Sequence, residues 1–284
     1  MPRDRCDAGA DPHRQVRSAG TTGASRRRRH GERQMTDANI PRSRLIEALI
    51  PSTVPVEIIR KIASRFPDAR QILLSGSHAK GCPTPTSDID VFVFLPKVSE
   101  VLREVVMIDD HLVDLAVHDF GSLRRVLARE HAMSVCALAD EVANGILLMP
   151  SCEAMRSLRA YGNEILQEGP KPFDLDSLRS HLLGQTADLR QSRHLNEKRA
   201  IALGLAFKLM LFALRARGGW IGSGRHLARD LDRLAPGFID ALAAATFRSL
   251  AGMDDEALIH EVEIAVRMHF GSVDRQWRCR APAG

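Results

Sequence analysis

The stretch Gln71–Leu95, QILLSGSHAKGCPTPTSDIDVFVFL, decides the fold. Gln71 to Ser75 is a short apolar run of the kind that forms a buried strand, and Gly76-Ser77 turns the chain. A polar loop follows. A second strand then runs from Asp88 to Leu95 and is closed by Pro96. Asp88 and Asp90 stand two residues apart on that strand and so project from one face. Folding has no use for two like charges there, because each resists the ionisation of the other. A pair of divalent cations would relieve the repulsion.

Outward from this stretch the chain reads as helices around a few strands. Pro55 suits the start of a helix in which Val56, Ile59, Ile62 or Ala63, and Phe66 share a face, ended by Pro67 and Asp68. A helix is expected over Ser99–Val106. A third strand is expected over His111–Val117, where Leu112, Asp114 and Ala116 alternate with Val113, Leu115 and Val117. From Gly121 to Val142 the pattern gives one or two helices, and Ile146–Leu148 is a short apolar piece before Pro150. Further helices are expected at Glu153–Gln167, Asp174–Leu195 and Glu197–Arg217, the last stopped by Gly218 and Gly219. Ser223 is a candidate cap for a helix ending near Leu234, Pro236 opens another, and Asp254–Phe270 closes the set. The expected class is α+β: a small mixed sheet over residues 36–150, followed by an all-helical domain over 151–272, with the boundary near Pro150.

Charge is distributed unevenly. The 284 residues carry a formal net charge of +5, which by itself suggests a nucleic-acid binder. Before Thr36, however, there are nine arginines against four acids, and the remaining residues hold 31 basic and 31 acidic side chains. The basic bias therefore belongs to residues 1–34, a polar Arg-, Gly- and Ser-rich tail expected to be disordered. The rest makes no electrostatic case for DNA binding. Translation from Met35, directly before the helix-ready sequence, is expected to leave that tail out. Residues 273–284 read as a flexible tail. The five cysteines (6, 82, 136, 152 and 279) have no paired spacing, which fits a reducing cytoplasm. The longest apolar run, Ala200–Leu214, contains Lys208 and is shorter than the roughly 17–25 residues that span a bilayer. A buried helix and no membrane association are expected.

The chemistry converges on the opening stretch. Backbone amides at a turn and helix start can hold phosphate oxygens, and glycine permits their close approach. Magnesium takes a few carboxylate oxygens, waters and substrate phosphates. Gly76-Ser77 would hold phosphates, while Asp88 and Asp90, with Asp114 on a later strand, would hold magnesium.

Gly76-Ser77-His78-Ala79-Lys80-Gly81, six residues ending in Ser87, and then Asp88-Ile89-Asp90 resembles the signature of the DNA-polymerase-β-like nucleotidyltransferase superfamily. The nearest likeness by motif is to small bacterial members, the kanamycin and other aminoglycoside nucleotidyltransferases and the minimal nucleotidyltransferases. The resemblance implies that Gly76 and Ser77 contact nucleotide phosphates, and that Asp88, Asp90 and Asp114 are the catalytic, metal-binding carboxylates for two Mg²⁺ ions. Lys80 stands where the family often has Arg and could meet phosphate as a point charge. Gly218-Gly219-Trp220-Ile221-Gly222-Ser223-Gly224-Arg225-His226-Leu227 resembles the Trp-Leu-Gly-x-Gly-Lys-Trp-Leu segment of helical domains in the same group, with Arg225 and His226 replacing Lys and Trp.

The implied reaction is transfer of a nucleoside monophosphate, AMP from ATP, to a hydroxyl acceptor with release of pyrophosphate. A small-molecule acceptor, a protein or tRNA acceptor as in toxin-like members, and a non-catalytic nucleotide-binding regulator remain alternatives. Asp114, Glu130 and Glu141 are the acids available to take the acceptor's proton. His78 is expected to be exposed and without a role, and His118-Asp119 to be a turn. Arg179, His181, Gln185 and Asp188 form the polar side of a helix whose apolar stripe is Leu175, Leu178, Leu182 and Leu189. Trp220 is expected to pack between helices. The spacing of Arg125 and His131, seen in some helical ribonucleases, is set aside because they adjoin the α/β unit.

Overall fold

The computed structural model describes residues 48–222 and 224–271. The Arg-rich tail, the start at Met35, the cap at Ser223 and the tail 273–284 lie outside them. The chain divides into two compact units, one of residues up to Leu127 plus Leu138–Gln167, the other of Ala128–Ala137 plus the residues from Glu168 onward. The first unit thus extends past Pro150, because the helix beginning at Glu153 packs with it: a Cβ on Gly162 would stand 3.1 Å from Ala139 O and 3.7 Å from the Ala143 amide nitrogen.

In the first unit, helix α1 (Val56–Arg65) precedes strand β1 (Gln71–Leu74). A single helical turn, α2 (Gly76–Ala79), leads through the loop to β2 (Ile89–Phe94). Next come β3 (Leu102–Ile108), β4 (His111–His118), α3 (Phe120–Ala132), whose residues from Ala128 onward belong to the second unit, α4 (Ala137–Asn144), β5 (Ile146–Leu147) and α5 (Glu153–Glu168). The five strands form one sheet in the order β3-β4-β2-β1-β5. β1 is antiparallel to β2 and β5, β3 is antiparallel to β4, and β2 runs parallel to β4.

One expectation is corrected here. Ser99–Val106 is not a helix: Leu102–Ile108 is a strand, paired with β4 in a hairpin whose register closes at Ile108 opposite His111. The two turn residues, Asp109 and Asp110, both have positive φ (47° and 61°). That is the conformation a two-residue hairpin turn requires, and Asp tolerates it better than most residues. Ile146–Leu147 pairs with β1 as a fifth strand.

Alternation along the strands separates the two faces of the sheet. Ile72, Leu74, Ile89, Val91, Val93, Val113, Leu115 and Val117 are buried together with Ile58, Ile59 and Ile62 of α1, plus Val54 and Leu148. Each fully buried Ile contributes roughly 1.5–3 kcal/mol, so this face holds the sheet on α1. The opposite face carries Asp90 and Asp114.

The second unit is helical: α6 (Leu175–Gln191), α7 (Leu195–Arg215), α8 (Gly224–Leu234), α9 (Phe238–Leu250) and α10 (Glu256–Phe270). The Asp174 carboxylate caps α6 by accepting from the Ser177 amide at 2.8 Å. Gly218, at φ 69°, follows the end of α7. The predicted stripe Leu178, Leu182 and Leu189 is buried with Leu205, Leu209, Phe212, Leu258, Ile259 and Val262. Among the described residues no helix is long and apolar enough to cross a membrane, and Cys82, Cys136 and Cys152 are not disulfide-bonded.

Candidate active site

Parallel pairing of β2 with β4 sets Asp90 directly opposite Asp114. Asp88 lies just before β2, at the end of a turn in which the Ser87 amide donates to Thr84 O (3.0 Å) and the Thr84 amide to Ser87 Oγ (2.8 Å). One carboxylate oxygen from each of Asp88, Asp90 and Asp114 can be chosen so that all three lie within 4.8 Å of one another, and all three residues are half-buried. The residues bracketed in the sequence as metal ligands are thus brought together from two strands and a loop.

Gly76 lies against this group. Its φ is 64°, and a Cβ there would overlap the Oδ2 of Asp90 and stand 2.7 Å from its Cγ. The glycine therefore makes room for a carboxylate of its own chain. Ser75 donates its amide to Asp90 O (2.9 Å), fastening the turn to β2. Within the turn, the amides of Ala79 and Lys80 reach Ser75 O and Gly76 O, at 3.4 and 3.2 Å. The first amides of a helix have no intrahelical acceptor, and here those belong to Gly76 and Ser77.

Lys80 forms an ion pair with Asp140 at 2.6 Å, and Asp140 also accepts from Asn144 Nδ2 at 2.7 Å. Lys80, Asp140, Glu141 and Asn144 line a shallow recess with Gly76. Of the acids considered as proton acceptors, Glu141 is therefore beside the turn, whereas Glu130 belongs to the second unit.

Arg103 was not foreseen as a site residue, because the segment carrying it was expected to be helical. From edge strand β3 its Nη2 donates to Asp114 Oδ2 at 2.7 Å and its Nε to Oδ1 at 3.1 Å. The guanidinium is held charged above its ordinary range chiefly by these hydrogen bonds and the Asp114 charge, with Glu141 and Asp90 adding to the effect.

Other candidates are placed elsewhere. His78 is buried rather than exposed, its Nδ1 3.2 Å from Thr53 Oγ1. His118 is buried with Nδ1 3.1 Å from Ser122 Oγ, and burial pushes its imidazole below the usual value, Asp119 opposing the shift. Asp119 caps α3, its Oδ1 accepting from the Ser122 amide at 2.6 Å. In the second unit Arg179 is buried with its guanidinium 4.7 Å from the centre of the Phe270 ring, so it does not sit on a wet face. Gln185 accepts from Lys208 Nζ at 3.0 Å. His131 is buried, donates from Nε2 to Gly169 O (2.9 Å), and has its ring 5.8 Å from that of Trp220.

The carboxylates fit a hard divalent cation: the donors are all oxygens, they converge, and the glycine opposite leaves the space they need. Acidic residues on adjacent parallel strands thus stand beside the Gly-Ser turn of a mixed sheet. Residues 56–130 match the family model of the nucleotidyltransferase domain, and this domain belongs to the polymerase-β-like nucleotidyltransferase superfamily. That match makes residues 56–130 a domain of the nucleotidyltransferase type. No curated protein matches it. Among solved structures, a nucleotidyltransferase-like protein from Exiguobacterium sibiricum 255-15 aligns at 15% identity and a TM-score of 0.37, over 78% of this chain and 81% of that chain.

Proposed function

We propose that this protein transfers a nucleoside monophosphate, AMP from ATP, to a hydroxyl acceptor in the cytoplasm and releases pyrophosphate. The observation that carries this reading is the convergence of Asp88, Asp90 and Asp114 beside the Gly76-Ser77 turn. Asp88, Asp90 and Asp114 would hold two Mg²⁺ ions. When bound, magnesium supplies charge neutralisation at the phosphates and lowers the cost of ionising the acceptor hydroxyl. The amides of Gly76 and Ser77 hold the triphosphate, and Lys80, steadied by Asp140, adds a positive charge at the end of the turn.

Glu141 takes the acceptor's proton. Its place in the recess with Gly76 supports this role. The acceptor oxygen bonds to the α-phosphorus as the bond from that phosphorus to the pyrophosphate oxygen breaks. Positioning and electrostatics supply most of the rate.

A small molecule is the favoured acceptor. The test is incubation with labelled ATP, Mg²⁺ and host lysate, followed by separation of small molecules, RNA and protein. Label should enter an acceptor with the wild-type chain and not with Asp88→Ala. ATP bound without pyrophosphate release would mark a regulatory protein instead, and label in RNA or protein would reassign the acceptor.

A further inference from the structure

The carboxylates that the preceding reading assigns to metal already have a cation among them. Arg103 engages both oxygens of Asp114 through Nε and Nη2, while Asp114 is the member of the trio contributed by β4. We propose that Arg103 is a displaceable latch: its guanidinium occupies Asp114 when no metal is bound and must leave before a divalent cation can use that carboxylate. This rests on the metal reading of Asp88, Asp90 and Asp114.

The geometry supports exchange rather than permanent pairing. The Asp114 side chain is 14% exposed, whereas that of Arg103 is 73% exposed. The carboxylate is thus fixed in the sheet and its partner is free to swing into solvent. Register explains the reach. Asp114 lies opposite Val105 and Arg103 lies opposite Ala116, so Arg103 approaches on the diagonal, which a long side chain can span. Swinging the Arg103 side chain away leaves the backbone pairing of Arg103 with Ala116 intact.

A need for the latch follows from charge. Three carboxylates with oxygens within 4.8 Å repel one another unless a positive charge is present. A planar guanidinium satisfies both Asp114 oxygens together. A metal and Arg103 would compete for the same lone pairs, so removal of Arg103 should strengthen cation binding. A merely structural role predicts the opposite, since the loss of a supporting contact would disorder the carboxylates.

The test is titration of the full chain with Mn²⁺ alone, followed by water-proton relaxation, for wild type, Arg103→Met, Arg103→Lys and Asp88→Asn. Arg103→Met should bind Mn²⁺ about two- to fivefold more tightly, the range set by loss of a half-exposed ion pair. Arg103→Lys should lie between it and wild type, because an ammonium cannot bridge both oxygens. Melting temperature without metal should fall in Arg103→Met and be restored by Mn²⁺. Binding that Asp88→Asn weakens but Arg103→Met and Arg103→Lys leave unchanged or weaker overturns the latch alone. Binding that is absent from wild type, or indifferent to Asp88→Asn, overturns the metal reading and the latch with it.

Discussion

Gly76 has no side chain because Asp90 occupies the place where one would be: a Cβ there would stand 2.7 Å from the Asp90 Cγ. The Gly76 turn and the carboxylate are thus fitted to each other. Gly76→Ala must shift Asp90 and also hold alanine at a φ of 64°. The backbone term costs roughly 1–2 kcal/mol. Urea denaturation should show at least that loss, and Mn²⁺ titration should show weakened binding. A variant with unchanged stability and unchanged affinity would contradict the fit.

Removal of one carboxylate should separate function from folding. Asp88→Ala and Asp90→Ala should lose nucleotidyl transfer while circular dichroism and thermal melting remain near wild type, since one member of a repelling group is removed. Wild-type turnover in either variant would exclude the two-metal mechanism.

Glu141 shares the recess with Gly76. As general base it should be dispensable for binding and needed for turnover. Glu141→Gln should lower kcat by about 10²–10⁴-fold while ATP and Mn²⁺ affinities stay unchanged. A wild-type kcat in the variant would assign the proton to another group.

His118 is buried and its imidazole is held below the usual value by desolvation. The unfolded chain, titrating near about 6.5, therefore binds the proton more readily than the folded one. Stability should fall as pH drops through the unfolded value toward the lowered folded one, and level off below it. Denaturation of wild type and His118→Gln at pH 7.5 and 5.5 checks this. The variant should lose less stability between the two, and an equal loss would shift the cause to other groups.

The site was legible in the sequence to the extent that it lies in one stretch. Gly76, Ser77, Asp88 and Asp90 are close along the chain, and their spacing carries both the turn and the shared face. Asp114 could be found because a carboxylate in an apolar alternating run is conspicuous. Arg103 was hidden by a wrong element: Leu102–Ile108 lacks the Asn-Gly or Asp-Gly signal of a two-residue turn, and Asp109-Asp110 replaces it with a rarer pair at positive φ. His78 and Arg179 were expected to be exposed because polar residues usually are. His78 is buried beside Thr53 and Arg179 over Phe270.

The order of residues along the chain determined the class of protein, because a strand, a Gly-Ser turn and an Asp-x-Asp strand are local and periodic features. Tertiary structure alone decided which carboxylates meet and what meets them. Asp90 faces Asp114 only because β2 and β4 pair in parallel, a register that depends on the intervening hairpin. Arg103 reaches Asp114 from the strand that hairpin adds. Such contacts join residues distant in the chain, and their positions follow from strand pairing and core packing rather than from local propensity.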